Sequence, residues 1–217
     1  APGTARRTAL ALTKLGATVL GPGAGGGDAR DDVTRGLIAS ATHLHLGAVD
    51  ATDPEAAAAL LTLAREQGVI TAADLGAPAA QAGAVLERIA PLLLHLDVFL
   101  PDAAQALALT GTADLAAAGA ALQAGGVGVI AVSSAADGAV VIDARGVTRV
   151  PALPVEVVDS TGCRDAFGAG FLRGLALGRS PADAARLGVA TAACVAQGPG
   201  ADFGEFDLSL VEGLAYS

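Results

Sequence analysis

The chain has 217 residues, enough for one domain of ordinary size with a substantial core. Its formal charge is −9, from 13 basic against 22 acidic residues with no basic cluster, which argues against nucleic acid and anionic membrane surfaces as partners. No apolar run escapes polar interruption for the length of a membrane span, no secretory or targeting signal is read, and two cysteines are too few for a disulfide framework, so a reducing cytoplasm fits.

Residues 8–15 predict a helix, with Leu10, Ala11 and Leu15 on one face and Gly16 as its stop. A short strand is expected over 17–20, then a Gly-rich loop over 21–32. Residues 42–47 alternate with period two, predicting a strand with His43 and His45 on one face. That pair lacks a third ligand nearby, so a core strand is favoured over a metal site. Asp53-Pro54-Glu55 combines a capping carboxylate, a proline at the first helical position and an acid facing the dipole, and the helix it starts is expected to reach Gln67. A strand over 69–73, a loop over 74–78, a helix over 81–90 and a buried strand over 96–100 follow. Asp102 and Gln105 then have the spacing of a capping box. Beyond them come a helix over 113–124, strands over 127–132 and 138–143, and a hairpin partner over 146–150. The last long helix is expected over 181–197, with Cys194 on its apolar side. Such alternation predicts an α/β fold: a doubly wound, mostly parallel sheet with helices on both faces, in a single domain over 1–217. Ligands of such sheets bind beyond the carboxyl ends of the strands, and Asp74, Asp102, Ser133 and Asp165 each follow a predicted strand.

The stretch that carries chemistry is 157–171. Val157 and Val158 are expected to end a strand, a polar turn follows, and an Ala/Gly/Leu run at helical spacing reaches Leu177 before Gly178. The first turn of a helix offers unpaired N–H groups and the positive end of the macrodipole, a combination suited to a phosphate. Asp165 sits inside that turn, where its carboxylate can accept a proton from an attacking hydroxyl. By spacing alone, an equally good account has Asp159 or Ser160 capping the helix and Asp165 favouring its dipole.

The run Asp159-Ser160-Thr161-Gly162-Cys163-Arg164-Asp165-Ala166-Phe167-Gly168-Ala169-Gly170 resembles the C-terminal signature of the ribokinase-like (PfkB) carbohydrate kinases, Asp-[Thr/Ser]-Thr-Gly-Ala-Gly-Asp-x-Phe-x-x-Gly. The resemblance implies a Rossmann-type three-layer fold and an ATP-dependent phosphotransferase acting on a hydroxyl of a small sugar or nucleoside-like substrate. It makes Asp165 the base and Gly162, Cys163 and Arg164 the phosphate-binding anion hole, with Mg2+ and a monovalent cation such as K+ as companions of ATP. Gly3, Arg7 and Asp159 take the places of substrate-binding residues, Arg7 standing for an asparagine; read without the family, Arg6 and Arg7 are a solvated helix start. Ser133 and Gly138 stand in the nucleotide loop, and Gly198 to Ala201 resembles the adenine-side loop, which makes Ser133, Gly138, Gly198 and Ala201 nucleotide-binding candidates. Asp102 and Gln105 occupy the places of an asparagine and a glutamate that organise Mg2+ in the family, and are the metal candidates. The family also has a strand before Gly3 and a lid within 21–32, and both are expected to be missing here.

Five motif positions depart together: Arg7, Asp102, Gln105, Ala135 and Arg164. They set a second reading beside the kinase, a catalytically impaired protein of the same fold that binds nucleotide or a protein partner. A third is an assembly domain, since the family often forms homodimers through its lid. Turnover with Mg-ATP separates the first from the other two.

Overall fold

The computed structural model describes residues 4–20, 28–76, 78–200 and 204–217. Gly3, Ala201 and most of the Gly-rich loop lie outside them. The chain divides into two compact units, Leu20–Ile130 on the one hand and Ala1–Val19 with Ala131–Ser217 on the other.

In the unit Leu20–Ile130, helix α2 (Asp32–Ser40) precedes β1 (His43–Leu46), α3 (Pro54–Glu66), β2 (Ile70–Ala73), α4 (Ala82–Leu93), β3 (Val98–Phe99), α5 (Ala103–Thr110), α6 (Leu115–Ala124) and the start of β4 (Val129–Ser133). The strands pair in parallel, in registers His43↔Ile70, Ala72↔Val98 and Val98↔Val129. Each crossover between them is helical, as short parallel strands require. Aspartates cap α2, α3 and α6: Asp31 accepts from Thr34 N–H at 2.8 Å, Asp53 from Ala56 N–H at 2.9 Å and Asp114 from Ala117 N–H at 2.9 Å. Each such cap contributes about 1 kcal/mol, so part of the acidic excess is spent on helix starts. Ile38, Leu60, Leu63, Ala64 and Val69 close one core between α2, α3 and β2. Helix α4 continues to Leu93 with Pro91 inside it, three residues past its expected end.

In the other unit, α1 (Thr4–Lys14) starts four residues before the expected helix. The end of β4 leads to the antiparallel hairpin β5 (Ala139–Asp143) and β6 (Gly146–Val150), then to α7 (Cys163–Ala176), α8 (Pro181–Ala196) and α9 (Leu208–Ala215). Helices α7 and α8 lie in close contact because glycines face each other. A Cβ on Gly170 would stand 2.7 Å from Gly188 Cα and 2.4 Å from Thr191 Oγ1. Ala11 and Leu15 of α1 join Ala166, Ala169, Leu187, Ala190, Cys194, Phe206 and Val211 in one buried cluster. Cys194 is core, as its place on the helix predicts.

The six strands follow the order β1-β2-β3-β4-β5-β6, a mostly parallel α/β sheet of the expected class. Two expected strands are not formed. Residues 17–20 and 157–158 carry β-branched side chains but no ladder, and Val19, Val157 and Val158 stay exposed. β-propensity is realised only against a neighbouring strand, and in the described residues neither segment has one. Between α1 and α2 no strand occurs among the described residues.

Candidate active site

The segment 151–162 carries no strand, so α7 begins from a loop. Val158 N–H and Asp159 N–H both donate to Ala196 O, at 2.8 and 3.3 Å, which ties the loop to the end of α8. Asp159 then divides its carboxylate: Oδ1 accepts from Thr161 N–H at 2.8 Å and Oδ2 from Gly200 N–H at 2.9 Å. The hydrogen bonds from Thr161, and after them the one from Gly200, hold the Asp159 carboxyl below its ordinary value. Asp159 is thus not the helix cap, and neither is Ser160, whose carbonyl accepts from Cys163 N–H at 3.1 Å.

Gly162 is the N-cap residue, with φ 85° and ψ −6°, and no side chain caps the helix. This left-handed conformation is the one position of the motif where backbone geometry asks for glycine. Arg164, which takes the place of a family glycine, lies in the first turn of α7 with ordinary helical backbone, half-buried. What arginine changes at that position is the side chain alone, not the turn geometry. Cys163 packs its Sγ 3.9 Å from Asp159 O, and burial, then the nearby Asp159 charge, pushes its thiol up.

Asp165 projects from the first turn of α7 with its side chain only 3% exposed. Its Oδ2 is ion-paired to Arg7 Nε on α1, the Arg7 side chain being 19% exposed. The solvated-helix-start reading therefore holds for Arg6, which is exposed, and fails for Arg7. One helical position separates the two outcomes, because a 100° turn carries residue 7 onto the face that meets α7. Thr8 beside it is fully buried, with its hydroxyl unpartnered. Helix periodicity could have flagged Arg7, since Ala11 and Leu15 recur four and eight positions later on the buried face.

The other candidates are placed as follows. Ser133 ends β4, half-buried. Gly138 has φ 85°, and a Cβ there would stand 2.1 Å from Val150 O, so the hairpin itself demands glycine. Gly198 is buried just after α8, two residues before the Gly200 that Asp159 holds. Asp102 and Gln105 belong to the other unit and form the full capping box of α5: Asp102 Oδ1 accepts from Gln105 N–H at 2.8 Å and Gln105 Oε1 from Asp102 N–H at 2.9 Å. In the same unit Asp74 is buried, accepts from Ala48 N–H at 2.7 Å, and lies 3.0 Å from His45 Nε2. No group of three His, Cys, Asp or Glu poised for a metal occurs among the described residues. Gly3 and Ala201 lie outside those residues. No helix among them is long and apolar enough to cross a membrane.

Residues 4–206 match the family model described as pfkB family carbohydrate kinase. A 1-phosphofructokinase from Haloferax volcanii is 40% identical over 114 residues, 50% of this chain and 37% of the relative's own length. An aminoimidazole riboside kinase from Salmonella enterica, solved with aminoimidazole riboside and an ATP analogue, aligns with a TM-score of 0.78 over 99% of this chain and 91% of that one, at 20% identity. A ribokinase II candidate from E. coli in complex with ATP and Mg2+ aligns with a TM-score of 0.75 over 86% of this chain and 62% of that one, at 22% identity. At 20–22% identity the likeness to the two solved structures is one of fold.

Proposed function

This chain belongs to the pfkB family of carbohydrate kinases, and on that premise we propose that it transfers the γ-phosphoryl group of ATP to a hydroxyl of a small sugar or nucleoside-like acceptor. The observation that carries this reading is the start of α7: a left-handed Gly162, no side-chain cap, and the buried carboxylate of Asp165 within the first turn. In the proposed step the acceptor hydroxyl gives its proton to Asp165 as its oxygen forms a bond to the γ-phosphorus. The bond from that phosphorus to the β–γ bridging oxygen breaks, and ADP leaves with the electron pair. Main-chain amides at the start of α7, apart from that of Cys163, which Ser160 O holds, face the charge that develops on the phosphoryl oxygens.

Nucleotide is assigned to the surroundings of Ser133, Gly198 and Gly200, with Asp159 fixing the last. Mg2+ supplies charge neutralisation between the phosphates when bound. Asp102 and Gln105 each commit an oxygen to the α5 capping box, so they fit a metal only through water or after rearrangement. The same reading includes a cytoplasmic location, where ATP is supplied, and leaves monomer against homodimer to a sizing column.

The test is ADP release with Mg-ATP over a panel of sugars and nucleosides, with and without K+. Asp165→Asn keeps the size of the side chain but cannot take the proton, and is expected to lower turnover ~10²–10⁴-fold with unchanged circular dichroism. Undiminished turnover by that variant would remove Asp165 as base. The ion pair between Arg7 and Asp165 favours a second reading, a nucleotide-binding protein whose base is blocked. Heat of Mg-ATP binding without turnover on any acceptor would support it.

A further inference from the structure

Strand β6 closes one edge of the sheet. Among the described residues its one strand neighbour is β5, and Gly146, Val147, Thr148 and Arg149 are all exposed, Val147 by 46%. The turn between the two strands is made by Ala144 and Arg145 alone, so Asp143 and Gly146 close the hairpin as a hydrogen-bonded pair. The alternation then runs on. Gly146, Thr148 and Val150 turn their main-chain groups toward β5, and Val147 and Arg149 turn theirs away from it. Edges of this kind are commonly blunted by proline, a bulge or several charges. Residues 146–150 hold no proline, pair with β5 residue for residue, and carry Arg149 as their single charge. Such an edge accepts a further strand.

The sequence of the edge selects the strand. An antiparallel copy of β6 forms a ladder only where Val147 and Arg149 meet groups that also point outward. Centred on Thr148, the pairing opposes Val147 to the copy's Arg149, and Arg149 to the copy's Val147. It also sets the two Thr148 side chains against each other, a favourable cross-strand pair. The next ladder-forming register on either side opposes Arg149 to the copy's Arg145 or Arg149, and like charges directly opposite are destabilising. The chain's charge of −9 works against self-association, but residues 144–150 contain Arg145 and Arg149 and no acid. Each basic edge thus approaches an acidic body, which lessens the repulsion on this path. A single added strand buries less than the roughly 800 Å² per partner of a stable complex, so the pair forms at high concentration.

We propose that β6 is a homodimerisation edge: two copies of this chain pair β6 against β6, antiparallel about Thr148, and join their hairpins in one continuous sheet. The pairing needs no lid and does not depend on the phosphoryl-transfer reading.

The experiment is sedimentation equilibrium of the chain from about 1 μM to about 1 mM, with amide exchange measured at both ends of that range. The expected result is a mass that climbs from one chain toward two, while the Val147 and Arg149 amides exchange more slowly at high concentration. Val147→Lys opposes a lysine to the copy's Arg149 on both sides of the dyad and should weaken association roughly tenfold or more. Because Val147 is exposed, the circular dichroism of that variant should match the parent's. Adding Arg149→Glu to it turns both repulsions into attractions and should restore association. Thr148→Lys, which brings two lysines face to face, serves if Val147→Lys does not fold. A mass of one chain at every concentration would leave the edge to a strand of another protein or to none, and would overturn the proposal. Association undiminished in the lysine variants, or not restored by the double variant, would overturn it equally.

Discussion

At Gly162 the backbone enters a conformation in which a Cβ crowds the adjoining carbonyl, with φ at 85°. Gly162→Ala is therefore expected to cost about 1–2 kcal/mol, read as a lower urea midpoint with unchanged slope. Arg164, two positions on, obeys a different rule. Its backbone is helical, so Arg164→Gly should lose about 0.5–1 kcal/mol of stability from helix propensity. The same change clears a long side chain from the turn proposed to hold phosphate, and higher ATP turnover or tighter Mg-ATP binding is the expected functional outcome. A fall in both would make Arg164 a phosphate ligand. Asp159 supplies the pH dependence. Its folded-state value is depressed by Thr161 and Gly200, so its contribution is complete above the ordinary carboxylate value and is lost as pH falls through the lower folded one. Acid titration followed by nitrogen–proton spectra should move the Thr161 and Gly200 amides together, while Asp159→Asn should abolish that shared step.

The elements show which sequence signals carry three-dimensional meaning. The start of α3 was legible because Asp53 and Pro54 act within four residues of each other, and so was the capping box of Asp102 and Gln105. Residues 17–20 and 157–158 misled because a strand is a property of two segments and the valines advertise only one of them. Helix α9 went unread although Asp207 caps it and Val211 is fully buried; eight residues hold too few turns for periodicity to stand out. Gly170 was legible as a motif letter, but its reason, the approach of α8, appears only in the packed pair. Gly170→Ala would drive a Cβ into Gly188 and Thr191, and a loss of about 1–3 kcal/mol is expected from overpacking. Equilibrium unfolding checks it, with Gly213→Ala on α9, where a Cβ meets nothing within 4 Å, as the control.

For the molecule as a whole, the α/β class followed from helices alternating with strands, and the core from the apolar faces of those helices. The pairing of Arg7 with Asp165 did not, because 158 positions separate the two residues and no local period links them. A ligand that binds only the folded chain raises its stability by mass action, by about 2.7 kcal/mol at one hundred times its dissociation constant. Mg-ATP at that excess should thus raise the melting temperature by several degrees, and the absence of any shift would count against nucleotide binding. The bond from Gly200 N–H to Asp159 spans 41 positions, and within that span lie both α7 and α8. The helical hairpin is consequently a loop buckled at its own neck, with the buckle beside Gly198 and Gly200, where nucleotide is proposed to bind. Undoing it releases the two ends of one cooperative segment at once, so deuterium uptake along α7 and α8 should rise together when Asp159 is removed, and slow together when nucleotide is bound.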